Sequence, residues 1–149
     1  FDKDATGYSR SEAVCAVFLQ KAKVANRIYG YVIHSKTNCD GFKPEGITYP
    51  SKVVQQQLLQ EFYDEVDISP TEVDYVEAHS TGTFVGDPEE CEALDKVYCN
   101  GRKTPLPVGS VKSSIGHSEA AAGVCSIAKC IIAMENGLIP PNINFRELK

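Results

Sequence analysis

The most constraining feature of this sequence is the regular alternation of strand-like and helix-like segments between residues 73 and 136. Residues 73–78 and 106–111 are short runs in which apolar and β-branched residues are frequent, as is typical of strands. A segment with helical character follows each run. Parallel strands joined by right-handed crossover helices produce this order. The sequence therefore predicts an α/β fold for this part of the chain.

The first crossover helix has a recognisable start. It opens on D-P-E-E, where Asp87 is predicted to cap the helix, Pro88 to occupy its first position and Glu90 to act as the reciprocal partner. Asn100 and the glycine after it predict the end of this helix, because both residues tolerate the backbone conformation of a helix terminus.

Two further helices are predicted from end signals and periodicity. The last helix is rich in alanine, opens at Ser118 and Glu119, and stops at the N-G pair at residues 136–137. An earlier helix begins after Ser51, a good capping residue. Its apolar residues recur every four positions, at Val54, Leu58, Phe62 and Val66.

The first fifty residues predict strands rather than helices. Residues 14–19 form a continuous apolar run, which is expected of a strand buried on both faces. Residues 28–35 are rich in aromatic and β-branched residues and predict a second strand. A loop rich in Gly and Pro follows at 40–50. A buried strand so close to a terminus indicates a piece of something larger.

Composition narrows the classes of function. The net charge is −5, and no basic stripe is present, which argues against binding to nucleic acid or to an anionic membrane. The longest apolar stretch, 124–134, contains Ser126 and Lys129 and is too short to span a bilayer. The six cysteines form no C-x-x-C pair and no metal-ligand spacing, so we expect reduced thiols, no metal and a cytoplasmic protein.

Three side chains with catalytic potential fall at one edge of the predicted sheet. His79 follows the strand at 73–78, Lys112 follows the strand at 106–111, and His117 precedes the last helix. Ligands of parallel α/β sheets bind beyond the carboxyl ends of the strands, which is where these residues lie. The N-terminal end of a helix disfavours imidazolium, so a neutral His117 could donate N–H to a developing oxyanion.

Each of these features alone has a structural explanation. A histidine at a strand end is most often a structural residue, and an isolated lysine is most often a surface residue. His34 has no partner in the pattern and is assigned to structure. The joint arrangement of His79, Lys112 and His117 favours a site.

The sequence resembles the β-ketoacyl synthase family. The resemblance rests on E-A-H-S-T-G-T at 77–83, G-D-P at 86–88, G-S-V-K-S-S-I-G-H at 109–117 and E-A-A-A-G at 119–123. The interval between the two histidines is the one expected in that family. Upstream, residues 2–12 and 37–51 are most similar to the condensing domain of animal-type fatty acid synthase.

The resemblance implies roles for five residues. The family extends an acyl chain, held as a thioester on a cysteine, with a malonyl thioester that loses CO2. The residues matching His79 and His117 hold the malonyl carbonyl, and the one matching Lys112 organises the second histidine. Hydroxyls matching Thr81 and Thr83 bind the phosphopantetheine arm of acyl carrier protein. No cofactor is expected to bind the chain directly.

The resemblance also implies the wider architecture. The family has a thiolase-like fold, a layered α/β/α arrangement of two related halves. Residues 1–24 would end the first half and residues 25–149 would form most of the second. Expected partners are the acyl carrier protein domain, acyl and malonyl thioesters, and a second copy in a homodimer of the parent protein.

Three departures from the family pattern qualify this hypothesis. Ser80 stands where the family usually has glycine. None of the six cysteines lies in the small-residue context of the family's nucleophile, and the glycine-rich loop of its C-terminal part is absent. We therefore expect the isolated chain to be inactive. The alternatives are a polyketide synthase condensing domain and a non-catalytic homologue that binds acyl thioester or acyl carrier protein.

Overall fold

The computed structural model describes residues 1–148, in which four α-helices surround one short parallel sheet. Short 3-10 turns lie at Ala22–Val24, Pro70–Glu72 and Glu119–Ala121. In chain order the main elements are α1 Lys52–Val66, β1 Val76–Glu77, α2 Gly86–Leu94, β2 Val108–Gly109, α3 Lys112–Ile115 and α4 Ala122–Asn136.

The two strands confirm the α/β prediction. β1 and β2 are parallel, with Val76 paired to Val108 and Glu77 to Gly109. The pairing continues one step further, because the backbone N–H of Ala78 donates to the carbonyl of Gly109 at 2.7 Å. Both strands are shorter than the predicted runs. Their carboxyl ends nevertheless lie side by side, as the crossover through α2 requires.

The helix α1 confirms its prediction in detail. It spans Lys52–Val66, and the Ser51 hydroxyl accepts a hydrogen bond from the N–H of Val54 at 3.3 Å, which makes Ser51 the N-cap. The aromatic ring of Tyr63 meets that of Tyr98 edge to face, and their hydroxyls are 3.0 Å apart. This contact joins α1 to the turn that follows α2.

The start of α2 differs from the prediction. The helix begins at Gly86, and Asp87 lies inside it rather than at its cap. The N–H of Gly86 donates to the Thr83 hydroxyl at 3.1 Å, so a threonine satisfies the first turn instead. The carboxylates of Asp87 and Glu90 form no capping box. Both instead accept hydrogen bonds from backbone N–H groups of the loop after β1. The helix continues as one π-helical turn, Asp95–Cys99, which ends at Asn100 as expected.

The helix α4 ends as predicted and begins later. Gly137, with a φ of 60°, closes it in the left-handed conformation that glycine tolerates. Its start is preceded by the 3-10 turn Glu119–Ala121, and Ser118 makes no capping hydrogen bond through its side chain. His117 therefore precedes a 3-10 turn instead of the first turn of an α-helix.

The predicted strands at 14–19 and 28–35 are absent from the described residues. Apart from the turn Ala22–Val24, residues 13–34 contain no helix or strand. Their apolar side chains are largely exposed, with Val14 fully exposed and Phe18 87% exposed. A strand exists only when a neighbouring strand satisfies its backbone, and residues 13–34 find no such neighbour in the described part of the chain.

The buried core is small and lies behind the sheet. Its apolar members are Ala78, Ala93, Val97, Tyr98, Ala122 and Cys125. Among residues 1–148, no helix combines the length and the apolar character that a bilayer-spanning segment needs.

Candidate functional site

The two histidines singled out in the sequence lie together. The ring centroids of His79 and His117 are 5.4 Å apart, and the rings meet edge to face at 86°. His79 follows β1, while His117 follows α3 and precedes the turn into α4. At this separation, both rings can reach one small ligand atom. The two side chains therefore lie together instead of on separate surfaces.

One hydrogen bond fixes the tautomer of His117. The backbone N–H of Glu119 donates to Nδ1 of His117 at 3.0 Å, so Nδ1 is an acceptor and the neutral ring carries its proton on Nε2. The residue is 8% exposed. Burial lowers the pKa of His117, and the positive charge of Lys112 lowers it further. The sequence predicted a neutral ring from a helix dipole, whereas burial and the charge of Lys112 are the main causes of the lowered pKa, and the charge of Glu119 opposes them.

His79 and Lys112 share this electrostatic environment. Partial loss of hydration lowers the pKa of His79, and the charges of Lys112 and His117 act in the same direction. Desolvation also lowers the pKa of Lys112, whereas the carboxylates of Glu90 and Glu77 oppose that shift. Neutral imidazoles close to a partly buried cation are groups that can stabilise developing negative charge.

Glu90 supports the His79 loop in a way that the sequence did not predict. Its carboxylate accepts hydrogen bonds from the backbone N–H groups of His79, at 2.7 Å, and Ser80, at 2.8 Å. Burial raises the pKa of Glu90, and these two donors oppose that effect. The helical position of Glu90 was visible in the sequence. Its contact with the loop after β1 is a tertiary contact, which the helical pattern does not predict.

The backbone at Ser80 explains why glycine suits this position. The φ of Ser80 is +37°, in the left-handed region where a side chain costs about 1 kcal/mol or more. The two N–H contacts to Glu90 hold the loop in that conformation. The departure from the family pattern is therefore accommodated with backbone strain.

An N-terminal segment, residues 7–11, ties the two histidine loops together. The N–H of Gly7 donates to the carbonyl of Gly82 at 2.9 Å, and the N–H of His117 donates to the carbonyl of Ser9 at 2.8 Å. Gly82 and Gly116 have a φ of 75°, and a Cβ at either would lie within 2.5 Å and 2.7 Å, respectively, of this segment's carbonyl oxygens. The close approach requires glycine at both positions.

The two threonines of the motif have different surroundings. Thr81 is 8% exposed and lines a cleft of about 510 Å³, whose wall includes residues next to both histidines but neither imidazole. The Thr83 hydroxyl accepts the N–H of Gly86 and lies 3.3 Å from the Thr81 hydroxyl. Polar groups are frequent in the cleft wall, which also includes Ser80, Ser110, Lys112, Ser113, Ser114 and Asn142.

In residues 1–148, no group of three or more His, Cys, Asp or Glu side chains is arranged to hold a metal ion. Cys125 is buried, and its sulfur lies 3.8 Å from the Ser118 hydroxyl. All six cysteines are unpaired thiols.

Fold and site together define an α/β domain with two histidines at the carboxyl edge of a parallel sheet. Residues 29–146 match the family described as "Beta-ketoacyl synthase, C-terminal domain". The chain belongs to this family.

Its relatives include both fatty acid and polyketide synthases. The chain is 44% identical over 138 residues to the fatty acid synthase of Anser anser anser, covering 93% of this chain and 39% of that sequence. It is 44% identical over 154 residues to highly reducing polyketide synthase 40 of Fusarium pseudograminearum (strain CS3096), covering 99% of this chain and 6% of the relative.

Solved structures give the same fold. The ketosynthase from module 6 of the bacillaene synthase of Bacillus subtilis 168 superposes with a TM-score of 0.76 and is 42% identical. The match covers 80% of this chain and 22% of that one. The fold is therefore the thiolase-like fold of ketosynthases, of which this chain represents a part.

Proposed function

We propose that this chain supplies the histidine pair of a β-ketoacyl-[acyl-carrier-protein] synthase within a type I fatty acid synthase. The observation that carries the proposal is the 5.4 Å separation of two imidazoles, one of which has its Nδ1 occupied by a backbone donor. Two N–H donors converging on one oxygen act as an oxyanion hole. The proposed reaction is the decarboxylative condensation of a malonyl thioester with an acyl-cysteine.

The histidines act first on the malonyl thioester. Its carbonyl oxygen accepts hydrogen bonds from His79 and His117. The bond between the carboxylate and the α-carbon breaks, CO2 leaves, and the electron pair remains as an enolate. Since the negative charge on oxygen grows during this step, the two donors stabilise the transition state more than the ground state. Neutral rings can donate these hydrogen bonds without losing a proton.

The enolate then attacks the acyl thioester. Its α-carbon forms a bond to the acyl carbonyl, the C–S bond to the cysteine breaks, and the cysteine leaves as a thiolate. The chain grows by two carbons. We propose that the cysteine belongs to a part of the parent domain beyond this chain, since none of the six cysteines here lies in the small-residue context of the family's nucleophile. The isolated chain would then be inactive.

Lys112 acts through its charge. Burial lowers the pKa of both imidazoles, and the charge of Lys112 adds to that shift, which favours the neutral rings. Burial lowers the pKa of Lys112, and the charges of Glu90 and Glu77 oppose that shift. Lys112 therefore organises the pair without being a proton donor in either step.

The substrate would arrive on the phosphopantetheine arm of acyl carrier protein. The cleft that Thr81 lines has polar side chains in its wall together with apolar ones such as Ile115 and Phe145, which suits an arm that carries amide and hydroxyl groups on an alkyl chain. The arm supplies a thioester on a long flexible tether. We assign Thr81 to this contact, with Thr83 as a second contact behind it.

The wider setting follows from the relatives. We propose a cytoplasmic, homodimeric, multifunctional fatty acid synthase, with residues 1–24 in the first half of the condensing domain and residues 25–149 in the second. The similarity to the Anser anser anser fatty acid synthase over 93% of the chain supports this assignment. The fungal polyketide synthases, at up to 44% identity, favour a polyketide condensing domain as the second candidate.

The test is product formation by the full-length protein that contains this chain. Acyl-loaded protein is mixed with malonyl thioester on its carrier, and the products are identified by mass spectrometry. Condensation predicts a ketoacyl thioester two carbons longer, which His79→Ala and His117→Ala abolish. His34→Ala is the matched control, because His34 pairs with Glu65 at a distance from the cleft. Binding of both thioesters without any product would identify a non-catalytic homologue instead.

A further inference from the structure

A buried charged cluster lies directly behind the histidine site. It consists of Glu77 in β1, Lys129 in α4 and Tyr75, whose side chains contact one another. Nζ of Lys129 lies 2.7 Å from Oε2 of Glu77 and 2.7 Å from the Tyr75 hydroxyl. The side chains of Glu77 and Lys129 are only 6% and 10% exposed. The proposed chemistry uses none of these three groups directly.

The two carboxylate oxygens of Glu77 have different partners. Oε2 contacts Lys129 and Tyr75, whereas Oε1 accepts the backbone N–H of Val111 at 2.5 Å. Val111 is the residue before Lys112 and caps the short helix α3. One side chain therefore links the strand that leads to His79 with the backbone that presents Lys112.

Burial of this pair is poorly explained by stability alone. The desolvation of two buried charges offsets most of their attraction, and apolar replacements of similar volume are often neutral or stabilising. Gly109 leaves space for the cluster, since a Cβ there would lie 2.4 Å from the Tyr75 hydroxyl and 3.2 Å from Nζ of Lys129. Strand β2 therefore leaves room for the cluster at Gly109. The cluster also contacts the backbone N–H of Val111, the residue before Lys112, through Oε1 of Glu77.

We propose that Glu77 is a positioning residue for Lys112, held in place by Lys129. The inference rests on the proposed function, because it concerns the same reaction. Glu77 acts through the N–H of Val111, and loss of that acceptor lets the Lys112 backbone shift relative to the imidazoles. A displacement of about 1 Å in such a site costs on the order of 10²-fold in rate. The step that depends on Lys112 is malonyl decarboxylation, whereas loading of the acyl chain on cysteine does not use it.

The test compares two double variants of the full-length protein. E77L/K129M removes both charges and the acceptor, whereas E77Q/K129M removes both charges and retains an amide oxygen for Val111. We expect E77L/K129M to lower kcat for decarboxylation by about 10- to 100-fold, with KM and acyl loading within about 2-fold of native. E77Q/K129M should restore kcat to within about 3-fold of native. A matched control is K52M/E92Q, which removes an ion pair whose side chains are 41% and 56% exposed.

Three outcomes would overturn the proposal. Equal decarboxylation by the two double variants would show that the acceptor for Val111 is irrelevant. Equal losses in loading and decarboxylation would indicate a merely structural role. If E77L/K129M yields no loadable protein, Gly109→Ala replaces it, since the added Cβ displaces the cluster, and native rates of both steps in that variant would overturn the proposal as well.

The control for the proposed function is separate. Native full-length protein that releases no CO2 from malonyl thioester would refute the condensing activity, whatever the Glu77 variants do. Native activity with unaffected Glu77 variants would refute only the positioning role.

Discussion

The backbone N–H of Glu119 donates to Nδ1 of His117 at 3.0 Å, and this contact determines which nitrogen carries the proton of the neutral ring. With Nδ1 occupied, Nε2 carries the proton of the neutral ring and is the donor toward a ligand. Glu119 has a φ of +46°, so the turn before α4 adopts a strained conformation to make the contact. His79, 5.4 Å away between ring centroids, supplies the second imidazole.

The pH dependence of decarboxylation should reflect the lowered pKa values of the two histidines. Both pKa values lie below the ordinary 6.5, so more of each ring should be neutral at a pH where an ordinary histidine is half protonated. We expect the acidic limb of kcat/KM for malonyl decarboxylation to lie below pH 6.5. Its position is measured on the full-length protein across pH 5 to 8, a span of about three units chosen to cover histidine titration.

Replacement of Lys112 should move that limb. Lys112→Met removes the cation that lowers the pKa of both rings, so the limb should shift to higher pH while kcat falls. Lys52→Met, a change in an exposed ion pair of α1 and α2, is the control and should leave the limb unchanged. An unshifted limb in Lys112→Met would contradict the electrostatic role of Lys112.

Replacement of Thr81 should affect substrate binding, whereas replacement of Thr83 should affect the stability of the fold. Thr81→Val removes a hydroxyl that lines the cleft, and KM for carrier-bound malonyl thioester should rise by about 3- to 10-fold, the cost of one hydrogen bond, with kcat retained. Thr83→Val removes the acceptor for Gly86 and should lower the free energy of unfolding by about 1 kcal/mol. A larger KM effect from Thr83→Val than from Thr81→Val would reverse the assignment.

The residue at position 80 should prefer glycine. At a φ of +37°, a Cβ is unfavourable, so Ser80→Gly should be more stable than Ser80→Ala by about 1 kcal/mol in denaturant unfolding. Equal stability of the two variants would show that the loop relaxes out of this conformation once the serine is replaced.

The sequence predicts the site better than it predicts the surrounding sheet. The parallel order of β1 and β2, the helix α1 with its Ser51 cap and the end of α4 at Gly137 follow from local signals. The approach of His79 and His117 follows from topology, since carboxyl ends of adjacent parallel strands meet at one edge. The predictions of strands at 14–19 and 28–35 are wrong. An apolar pattern does not show whether a neighbouring strand is available for pairing.

Sequence patterns do not predict side-chain contacts between residues that are far apart in the chain. The sequence predicts Glu90 as the partner in a capping box, whereas its carboxylate accepts hydrogen bonds from the N–H groups of His79 and Ser80. The sequence predicts Glu77 as an ordinary strand residue, whereas it accepts a hydrogen bond from the N–H of Val111 and pairs with Lys129. Each contact depends on tertiary packing, which sets distances between residues far apart in the chain.

The isolated chain of 149 residues should form no ketoacyl product. None of its cysteines lies in the context of the family nucleophile, and without an acyl-cysteine the enolate has no electrophile. Incubation with acyl and malonyl thioesters, followed by mass spectrometry, provides the measurement. A ketoacyl product above background, lost on replacement of Cys125 or another cysteine, would contradict this expectation.

The most direct test of the central claim is a double-mutant cycle on CO2 release from malonyl thioester by the full-length protein. If both rings donate to one carbonyl oxygen, His79→Ala and His117→Ala should each slow decarboxylation by about 10²- to 10³-fold, while acyl loading changes little. Because both rings bind one oxygen, the double variant should lose far less than the product of the two single losses. Fully multiplicative losses, or normal decarboxylation by His117→Ala, would contradict a shared site.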